Sequence, residues 1–231
     1  MITSDGRANP VRESSCNPIS DAEYIYLLQN DLITFATRAF YELNPQGRLL
    51  YAAYLDLIAS WLLMCMKGGT KRLIIAVPPR HLKSHLVSVS FVAWLLGHFP
   101  SKHVICASYG QELAEKHARD CRTIMRSRWY EQVFGPVLGP RQVVHDFDTL
   151  AHGSRRSTSV GGPLTGLGAD FLILDDVQTP MSVLSDSERR ATNRWFDHTL
   201  LSRLNNPETG VIIIVMQRLH QDDLIGHVLE R

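Results

Sequence analysis

Residues 73–84 read LIIAVPPRHLKS. The apolar and partly β-branched run that opens this stretch ends at Pro78 and Pro79, which predicts a short buried strand. A polar segment ending in Lys83 and Ser84 follows directly, and such a segment is typical of a phosphate-binding loop that opens a helix. The stretch therefore predicts a strand, a loop and the start of a helix, and many α/β folds begin with this succession.

Composition narrows the class of protein. The chain has 231 residues, enough for one large α/β domain with its own core. It carries 24 basic and 23 acidic side chains, so any affinity for nucleic acid must come from local patches. Its 4 cysteines form no C-x-x-C pair, which argues against a zinc site. No signal peptide opens the chain and no apolar run would span a bilayer, so we expect a cytoplasmic protein with no membrane partner.

The chain divides into three segments of different character. Residues 1–20 are rich in Ser, Asn, Pro and Arg without periodicity, and we expect a flexible arm there. Residues 21–70 predict a helical lead-in, with one helix over about 21–43 and another over about 48–66. Residues 71–231 predict the core that contains the phosphate-binding loop.

Four apolar runs predict the strands of this core, at residues 73–77, 103–108, 171–174 and 211–215. Helical patterns separate them, at about residues 84–96, 111–127, 185–204 and from 222 onward. A short hairpin is predicted from residues 143–150 and 155–160. Because the strands do not alternate, we expect a mostly parallel central sheet with helices on both faces. The predicted fold class is α/β and P-loop NTPase-like.

One predicted helix carries a basic stripe at three- and four-residue spacing, formed by Lys116, Arg119, Arg122 and Arg126. Two interpretations stay open. Charge runs on helices are usually solvated faces, and this is the commoner reading. The alternative is a contact with nucleic acid.

Polar residues follow the predicted strands at their carboxyl ends, where parallel sheets bind ligands; they are Lys83, Ser84, Asp175, Asp176 and Gln217. A bound triphosphate needs an ammonium beside its β and γ phosphates and a hydroxyl on its Mg²⁺, which Lys83 and Ser84 can supply. Asp175 would hold Mg²⁺ through water, and Asp176 would orient or deprotonate the attacking water. The pattern predicts an ATP and Mg²⁺ site. The alternative is that Lys83 has no such role and the two aspartates only begin a loop.

The loop departs from the standard G-x-x-x-x-G-K-[ST] pattern. Val77 stands at its first glycine position and Leu82 at its second. Glycine serves where the backbone takes positive φ or approaches the phosphates closely, so Leu82 predicts weak or altered nucleotide binding.

Four separated stretches carry a further pattern; they read IIAVPPRHLKS, SKHVICASYGQELAEKHARDCR, TSVGGPLTGLGADFLILDDV and VIIIVMQRLHQDDLIGHVLE. In this order they resemble motifs of the ATPase domain of tailed-phage terminase large subunits, which are DNA-packaging motors. The resemblance covers about residues 50–231 and includes a Q-R-L-H-x-x-D-L block that ordinary helicases lack. The family's loop usually reads P-P-R-H-G-K-S, so Leu82 is a departure from that pattern too.

The resemblance implies roles for the central residues of the site. Lys83 and Ser84 match the phosphate and magnesium residues, and Arg80 matches a loop arginine that senses or stabilises the γ-phosphate. Asp175 matches the magnesium aspartate. Asp176 stands where many members have the catalytic glutamate, and its shorter side chain would have to reach farther or act through water.

The resemblance also implies roles around this centre. Pro79, His81 and Leu82 complete the nucleotide-binding loop, and Tyr54 falls in the region that flanks the adenine. Gln217 lies with Met216 in the motif that couples hydrolysis to movement, and Arg218 and His220 belong to the block after it. Structural roles stay open for three of these: a surface ion pair for Arg218, helix capping for His220 and core packing for Tyr54.

Further expectations concern partners and reaction. The resemblance implies double-stranded DNA, a small terminase subunit, a portal protein and a homo-oligomeric ring, in the cytoplasm of a bacterial host and outside the virion. The family's second half, an RNase H-like nuclease, has no counterpart before Arg231, so we expect ATPase chemistry without DNA cleavage.

Two other functions stay open. Val77, Leu82 and the missing nuclease favour a degenerate, non-hydrolysing DNA-binding prophage remnant. A helicase-like remodeller would share the basic helix, but the block at residues 217–224 ranks it lowest.

Overall fold

A computed structural model describes residues 19–164 and 166–230. The predicted arm at residues 1–20 lies almost wholly outside the described residues. The α-helices are α1 (Asp21–Asn30), α2 (Leu32–Leu43), α3 (Tyr54–Met66), α4 (Val92–His98), α5 (Gln111–Met125), α6 (Arg128–Phe134), α7 (Asp186–Trp195) and α8 (Leu224–Leu229). The strands are β1 (Arg72–Ala76), β2 (His103–Ser108), β3 (Leu138–Val143), β4 (Asp146–Thr149), β5 (Ser154–Ser159), β6 (Phe171–Asp175) and β7 (Val211–Met216). Two π-helices span His85–Phe91 and Phe196–Leu200, and two 3₁₀-helices span Ser182–Leu184 and Leu201–Arg203.

The strands form one sheet in the order β1-β7-β6-β2-β5-β4-β3. Neighbouring strands from β1 to β5 pair in parallel, and β4 pairs antiparallel with β5 and with β3. Each of the four predicted apolar strands is present within one residue of its predicted bounds. The mostly parallel α/β sheet predicted from the sequence is therefore confirmed.

Helices cover both faces of the sheet. In β7, Ile213 and Val215 pack into a core built with α1 to α6, whereas Ile212 and Ile214 pack into a second core with the segment from α7 to α8. Every residue of β7 is buried as a result. This burial on both faces explains why the strand reads as a continuous apolar run.

The predicted number of four strands in the central sheet was too low, because the described residues form a seven-stranded sheet. The predicted hairpin is present as β4 and β5, but β5 also pairs in parallel with β2 and so belongs to the central sheet. Its sequence, SRRSTS, has no apolar pattern, yet Ser154, Arg155, Ser157 and Thr158 are buried. Polar residues buried through tertiary hydrogen bonds give no periodic signal, so the pattern could not show this strand.

The predicted helix over residues 21–43 is wrong in one respect, since it is two helices. Asp31 breaks it with extended backbone, and its carboxylate accepts a hydrogen bond from the Thr34 N–H at 2.7 Å, which caps α2. The second lead-in helix begins at Tyr54, later than the predicted residue 48. Among the described residues, no helix combines the length and apolar character needed to cross a membrane.

Candidate nucleotide-binding site

The loop after β1 holds strained backbone. Arg80 has φ 63° and Leu82 has φ 58°, and Asp176, after β6, has φ 47°. These are three of the four non-glycine residues with positive φ in the described part of the chain. Left-handed backbone costs a non-glycine residue about 1–2 kcal/mol, and such strain clusters at functional sites. Leu82 therefore has the glycine-type conformation that its place in the loop motif predicts.

The helix after the loop begins beside this strained segment. Its first hydrogen bond joins the Leu86 N–H to the Leu82 carbonyl at 2.9 Å. The helical turn continues as the π-helix His85–Phe91 and then as α4. N–H groups ahead of the first helical bond have no partner in their own helix, and the helix dipole adds positive potential there. Such a helix start favours an anion such as a phosphate.

The carboxylate of Asp175 lies at the end of β6, next to this helix. It is 1 % exposed. Its Oδ1 accepts a hydrogen bond from the Ser84 hydroxyl at 3.0 Å, and its Oδ2 accepts one from the Ser88 hydroxyl at 2.6 Å. Burial raises the pKa of Asp175 to about 6, while the hydrogen bond from Ser88 opposes the rise. At neutral pH the group is therefore mostly a carboxylate.

Asp176 takes a different partner from its neighbour. Its Oδ2 lies 2.6 Å from the Nζ of Lys83, and the Lys83 side chain is only 5 % exposed. Two backbone bonds hold Asp176 in place: its N–H donates to the Val215 carbonyl, and its own carbonyl accepts from the Tyr109 N–H. The structure thus brings Lys83 and Ser84 together with both aspartates at the carboxyl edge of the sheet.

His117, on α5, is a third neighbour of Asp175. Its Nδ1 lies 3.6 Å from Oδ2 of Asp175. Burial, and after it the positive charges of Arg155, Lys116 and Lys83, together lower the pKa of His117 to about 3. The imidazole is therefore neutral at physiological pH. Its contact with Asp175 is dipolar and is not an ion pair.

An open cleft of about 380 Å³ is bordered by Tyr54, Arg80, His81 and Leu82. Tyr54 donates a hydrogen bond from its hydroxyl to the His81 carbonyl at 3.0 Å, and the two rings lie 5.8 Å apart. The His81 Nδ1 contacts the Pro79 carbonyl at 2.8 Å. Leu82 lines this cleft and also a neighbouring one of about 500 Å³ that includes Ser84. Tyr54 thus contacts the loop through His81, and its place beside an adenine stays a prediction.

Gln217 follows the last residue of β7 directly and is half-buried. It therefore lies at the same sheet edge as the acidic residues. Within the described residues, no hydrogen bond joins its side chain to Lys83, Ser84 or the two aspartates. Gln217 therefore lies near the site but makes no hydrogen bond to these four residues.

The block after Gln217 is organised by Asp223, which is fully buried. Its Oδ2 accepts from the Leu219 N–H at 3.0 Å and from the Nε of Arg218 at 3.1 Å, and its Oδ1 caps α8 through the Gly226 N–H at 2.9 Å. His220 accepts a hydrogen bond from the Asp222 N–H at its Nδ1. These contacts favour the ion-pair interpretation of Arg218, whereas the residue that caps α8 is Asp223 and not His220.

Three residues of the basic stripe on α5 are already engaged. Lys116 pairs with Asp120 at 2.7 Å and Arg119 with Glu115 at 3.8 Å, each one turn away on the same helix. Arg122 donates from its Nη1 to the Gln142 carbonyl. Because two of its four residues pair with acids on the same helix and Arg122 contacts a backbone carbonyl, a solvated helix face explains the stripe better than a nucleic-acid contact.

The sequence did not predict three residues that contact this site, Ser88, His117 and Arg155. Ser88 lies four residues after Ser84, so helical spacing could have placed both hydroxyls on one face. Arg155, on β5, is fully buried; it donates to the Ser157 hydroxyl and, at 3.4 Å, to the Ser88 carbonyl. No signal in the sequence separates it from a surface arginine.

The donor set fits the predicted ligands. Mg²⁺ prefers hard oxygen ligands and keeps several waters, so the Ser84 hydroxyl, together with the Asp175 carboxylate acting through a bound water, would be a sufficient protein contribution. Among the described residues, no group of three or more His, Cys, Asp or Glu residues could hold a metal ion by itself. A magnesium ion here would depend on Ser84, Asp175, water and the phosphates that it accompanies.

Comparison with known proteins bears on the fold. No family model and no curated protein matches the sequence. Among solved structures, the chain is similar to the crystal structure of the large terminase of bacteriophage HK97, with a TM-score of 0.50 and 14% sequence identity. The match covers 82% of this chain and 39% of that one. At this identity the likeness shows a terminase-like, P-loop NTPase-like fold, and the chain spans well under half the length of the protein it resembles.

Proposed function

We propose that this chain is the Mg²⁺-dependent ATPase motor domain of a phage or prophage terminase large subunit, and that its hydrolysis of ATP drives packaging of double-stranded DNA into procapsids. The observation that carries the proposal is the meeting of Lys83 and Ser84 with Asp175 and Asp176 beside a helix start. The terminase-like fold supports the class of protein. The motifs of the sequence support the activity.

The roles of the residues follow from their chemistry. In the proposed site the Lys83 ammonium exchanges its contact with Asp176 for phosphate oxygens, and Arg80 stabilises the γ-phosphate. Asp176, once free of Lys83, orients or deprotonates the attacking water. Ser84 and Asp175 would hold Mg²⁺, which would neutralise charge on the phosphates. Hydrolysis at such a site depends mainly on positioning and charge stabilisation.

The surroundings complete the proposal. Tyr54 with Pro79, His81 and Leu82 would border the nucleotide, and Gln217 would link hydrolysis to movement. The partners that we propose are double-stranded DNA, the small terminase subunit, the portal protein and further copies of this chain in a ring. These assignments rest on the resemblance and not on contacts in the structure.

The experiment that tests the proposal measures phosphate release from ATP by the full chain, with duplex DNA, in Mg²⁺ and in excess EDTA. We expect hydrolysis in Mg²⁺ and a return to background in EDTA, because metal neutralises the phosphate charge. Hydrolysis that persists in EDTA would contradict the proposed metal role. No hydrolysis in Mg²⁺ would favour the second candidate.

That second candidate is a non-hydrolysing DNA-binding remnant. Two observations favour it: Leu82 occupies a left-handed position suited to glycine, and Lys83 already has a carboxylate partner in Asp176. Calorimetry with ATP, with and without Mg²⁺, separates the two candidates. No binding at millimolar ATP would support the remnant.

Leu82→Gly is expected to tighten nucleotide binding about tenfold, or about 1.4 kcal/mol. Glycine relieves the left-handed strain and removes a side chain from the point where the backbone must approach the phosphates. Stability should change little, because lost packing and the greater freedom of glycine in the unfolded chain offset the relieved strain. Calorimetric titration with ADP measures the effect.

Leu82→Ala is the matched control for this change. It removes most of the side chain but keeps the penalty for φ 58°. If it tightens binding as much as Leu82→Gly does, side-chain bulk and not backbone strain limits the site. If neither variant binds better than the unchanged chain, Leu82 is not the cause of weak binding.

A further inference from the structure

We propose that Ser88 is a positioning residue for the metal-binding carboxylate of Asp175, an inference that rests on the proposed function. The two oxygens of this carboxylate have different partners: Oδ1 takes the Ser84 hydroxyl at 3.0 Å, and Oδ2 takes the Ser88 hydroxyl at 2.6 Å. The shorter bond belongs to the serine that the loop motif does not include.

The place of Ser88 in the helix makes this contact possible. Residues four apart lie on one helical face, so Ser84 and Ser88 both face β6. Ser88 lies inside the π-helix His85–Phe91 and is fully buried, so solvent does not compete with its hydroxyl for Asp175. A short hydrogen bond from a hydroxyl to a carboxylate is charge-assisted and about twice as strong as a neutral one.

Two hydroxyls on different oxygens restrict rotation of the carboxylate. With a single partner, the Asp175 carboxylate could turn about its last side-chain bond, because that torsion has a broad energy profile. With both partners its plane is held, and Oδ1 stays on the side of Ser84, the residue proposed to bind Mg²⁺. Hydrogen-bond partners that orient the groups of a metal site generally raise its affinity for the metal, and the same is expected of a carboxylate that acts through a metal-bound water.

The position of Ser88 is itself fixed by a contact of its backbone carbonyl. The Nη2 of Arg155 donates to the Ser88 carbonyl at 3.4 Å, and the fully buried guanidinium connects the π-helix to β5. The hydroxyl of Ser88 therefore projects from a turn that is fixed on its other side. This arrangement links the metal-binding carboxylate to a strand beyond β2 in the sheet.

A purely structural role for Ser88 makes a different prediction. Buried carboxylates need hydrogen-bond partners, and Ser88 could serve only to satisfy Asp175. In that case its loss would lower stability without changing how metal affects nucleotide binding. The dependence of binding on Mg²⁺ concentration is thus the measurement that separates the two roles.

The test compares ADP binding by the unchanged full chain, Ser88→Ala and Ser90→Ala, by calorimetry over a range of Mg²⁺ concentrations and in EDTA. Ser90 is the matched control, since it is equally buried in the same π-helix but contacts the His85 Nε2 at 3.2 Å. We expect Ser88→Ala to raise the Mg²⁺ concentration for half-maximal binding about tenfold. Binding in EDTA should stay unchanged, and Ser90→Ala should match the unchanged chain.

The outcomes are distinguishable. If the unchanged chain shows Mg²⁺-dependent binding and Ser88→Ala shows the same dependence, this inference is overturned while the proposed function stands. If the unchanged chain binds no nucleotide with Mg²⁺, both are overturned. Should Ser88→Ala fail to fold, Ser88→Cys keeps the volume with a weaker donor, and a shift of about threefold or more supports the inference whereas none overturns it.

Discussion

Lys83→Ala is expected to lower ATP hydrolysis at least about 100-fold, to background in a steady-state assay of phosphate release. The Lys83 ammonium is almost fully buried and lies at the start of the helix, where charge on a transferred phosphoryl group would develop. Alanine leaves no cation there. The fold should survive, because Asp176, the partner that is left alone, is 25 % exposed and water can solvate it.

Lys71→Ala is the control for this change. Lys71 is exposed and precedes β1 at the opposite edge of the sheet, so its loss should leave hydrolysis unchanged.

Asp175→Ala, like Lys83→Ala, should reduce hydrolysis to background, because it removes the carboxylate proposed to hold the metal. Robust activity in both Lys83→Ala and Asp175→Ala, with thermal unfolding close to that of the unchanged chain, would disprove the proposed site.

Arg155→Ala is expected to destabilise the protein by about 4 kcal/mol, measured by urea unfolding. The guanidinium is fully buried, and its partners are neutral: the Ser157 hydroxyl and the Ser88 carbonyl. Alanine would leave a large cavity between β5 and the π-helix and would remove the guanidinium donor from the Ser157 hydroxyl and the Ser88 carbonyl. Nε has no partner among the described residues, so the native arrangement is already a costly one.

Two comparisons sharpen this prediction. Arg155→Met fills most of the same volume without charge and should cost far less, because buried charges are often replaced by apolar groups at little loss. Arg156→Ala, at the next position of β5, removes a partly exposed side chain that pairs with Asp146, and should cost about 1 kcal/mol or less. Equal losses for Arg155→Ala and Arg156→Ala would show that the buried guanidinium does not hold β5 in place.

The apolar strands could be predicted because both faces of the sheet are covered. A strand such as Val211–Met216 is buried at every position, so its residues are apolar without interruption, and Gly210 marks its start. The polar strand Ser154–Ser159 is held by two neighbouring strands and by a buried arginine. Those interactions join residues far apart in the sequence, so no local pattern reports them.

The candidate site divides in a similar way. The loop motif marked position 82 as one where glycine serves either positive φ or close approach to phosphates, and the structure shows positive φ there. The motif also grouped Lys83 and Ser84 with the aspartates after β6, and the structure brings these groups together. The loop motif did not predict the left-handed backbone of Arg80 and Asp176. Both arise from the turn that leaves each strand, and the sequence of such a turn does not determine its φ when glycine is absent.

The sequence by itself determined the order of parts: a strand, a phosphate-binding loop and a helix, followed about ninety residues later by a strand that ends in Asp175 and Asp176. Only the tertiary structure decided that β7 lies between these strands and that Asp175 takes Ser84 and Ser88 while Asp176 takes Lys83. The physical reason is how far apart in the chain the interacting residues lie. Apolar runs and loop motifs reflect interactions between neighbours in the chain, whereas strand order and the partners of buried charges depend on contacts that form only when distant segments pack together.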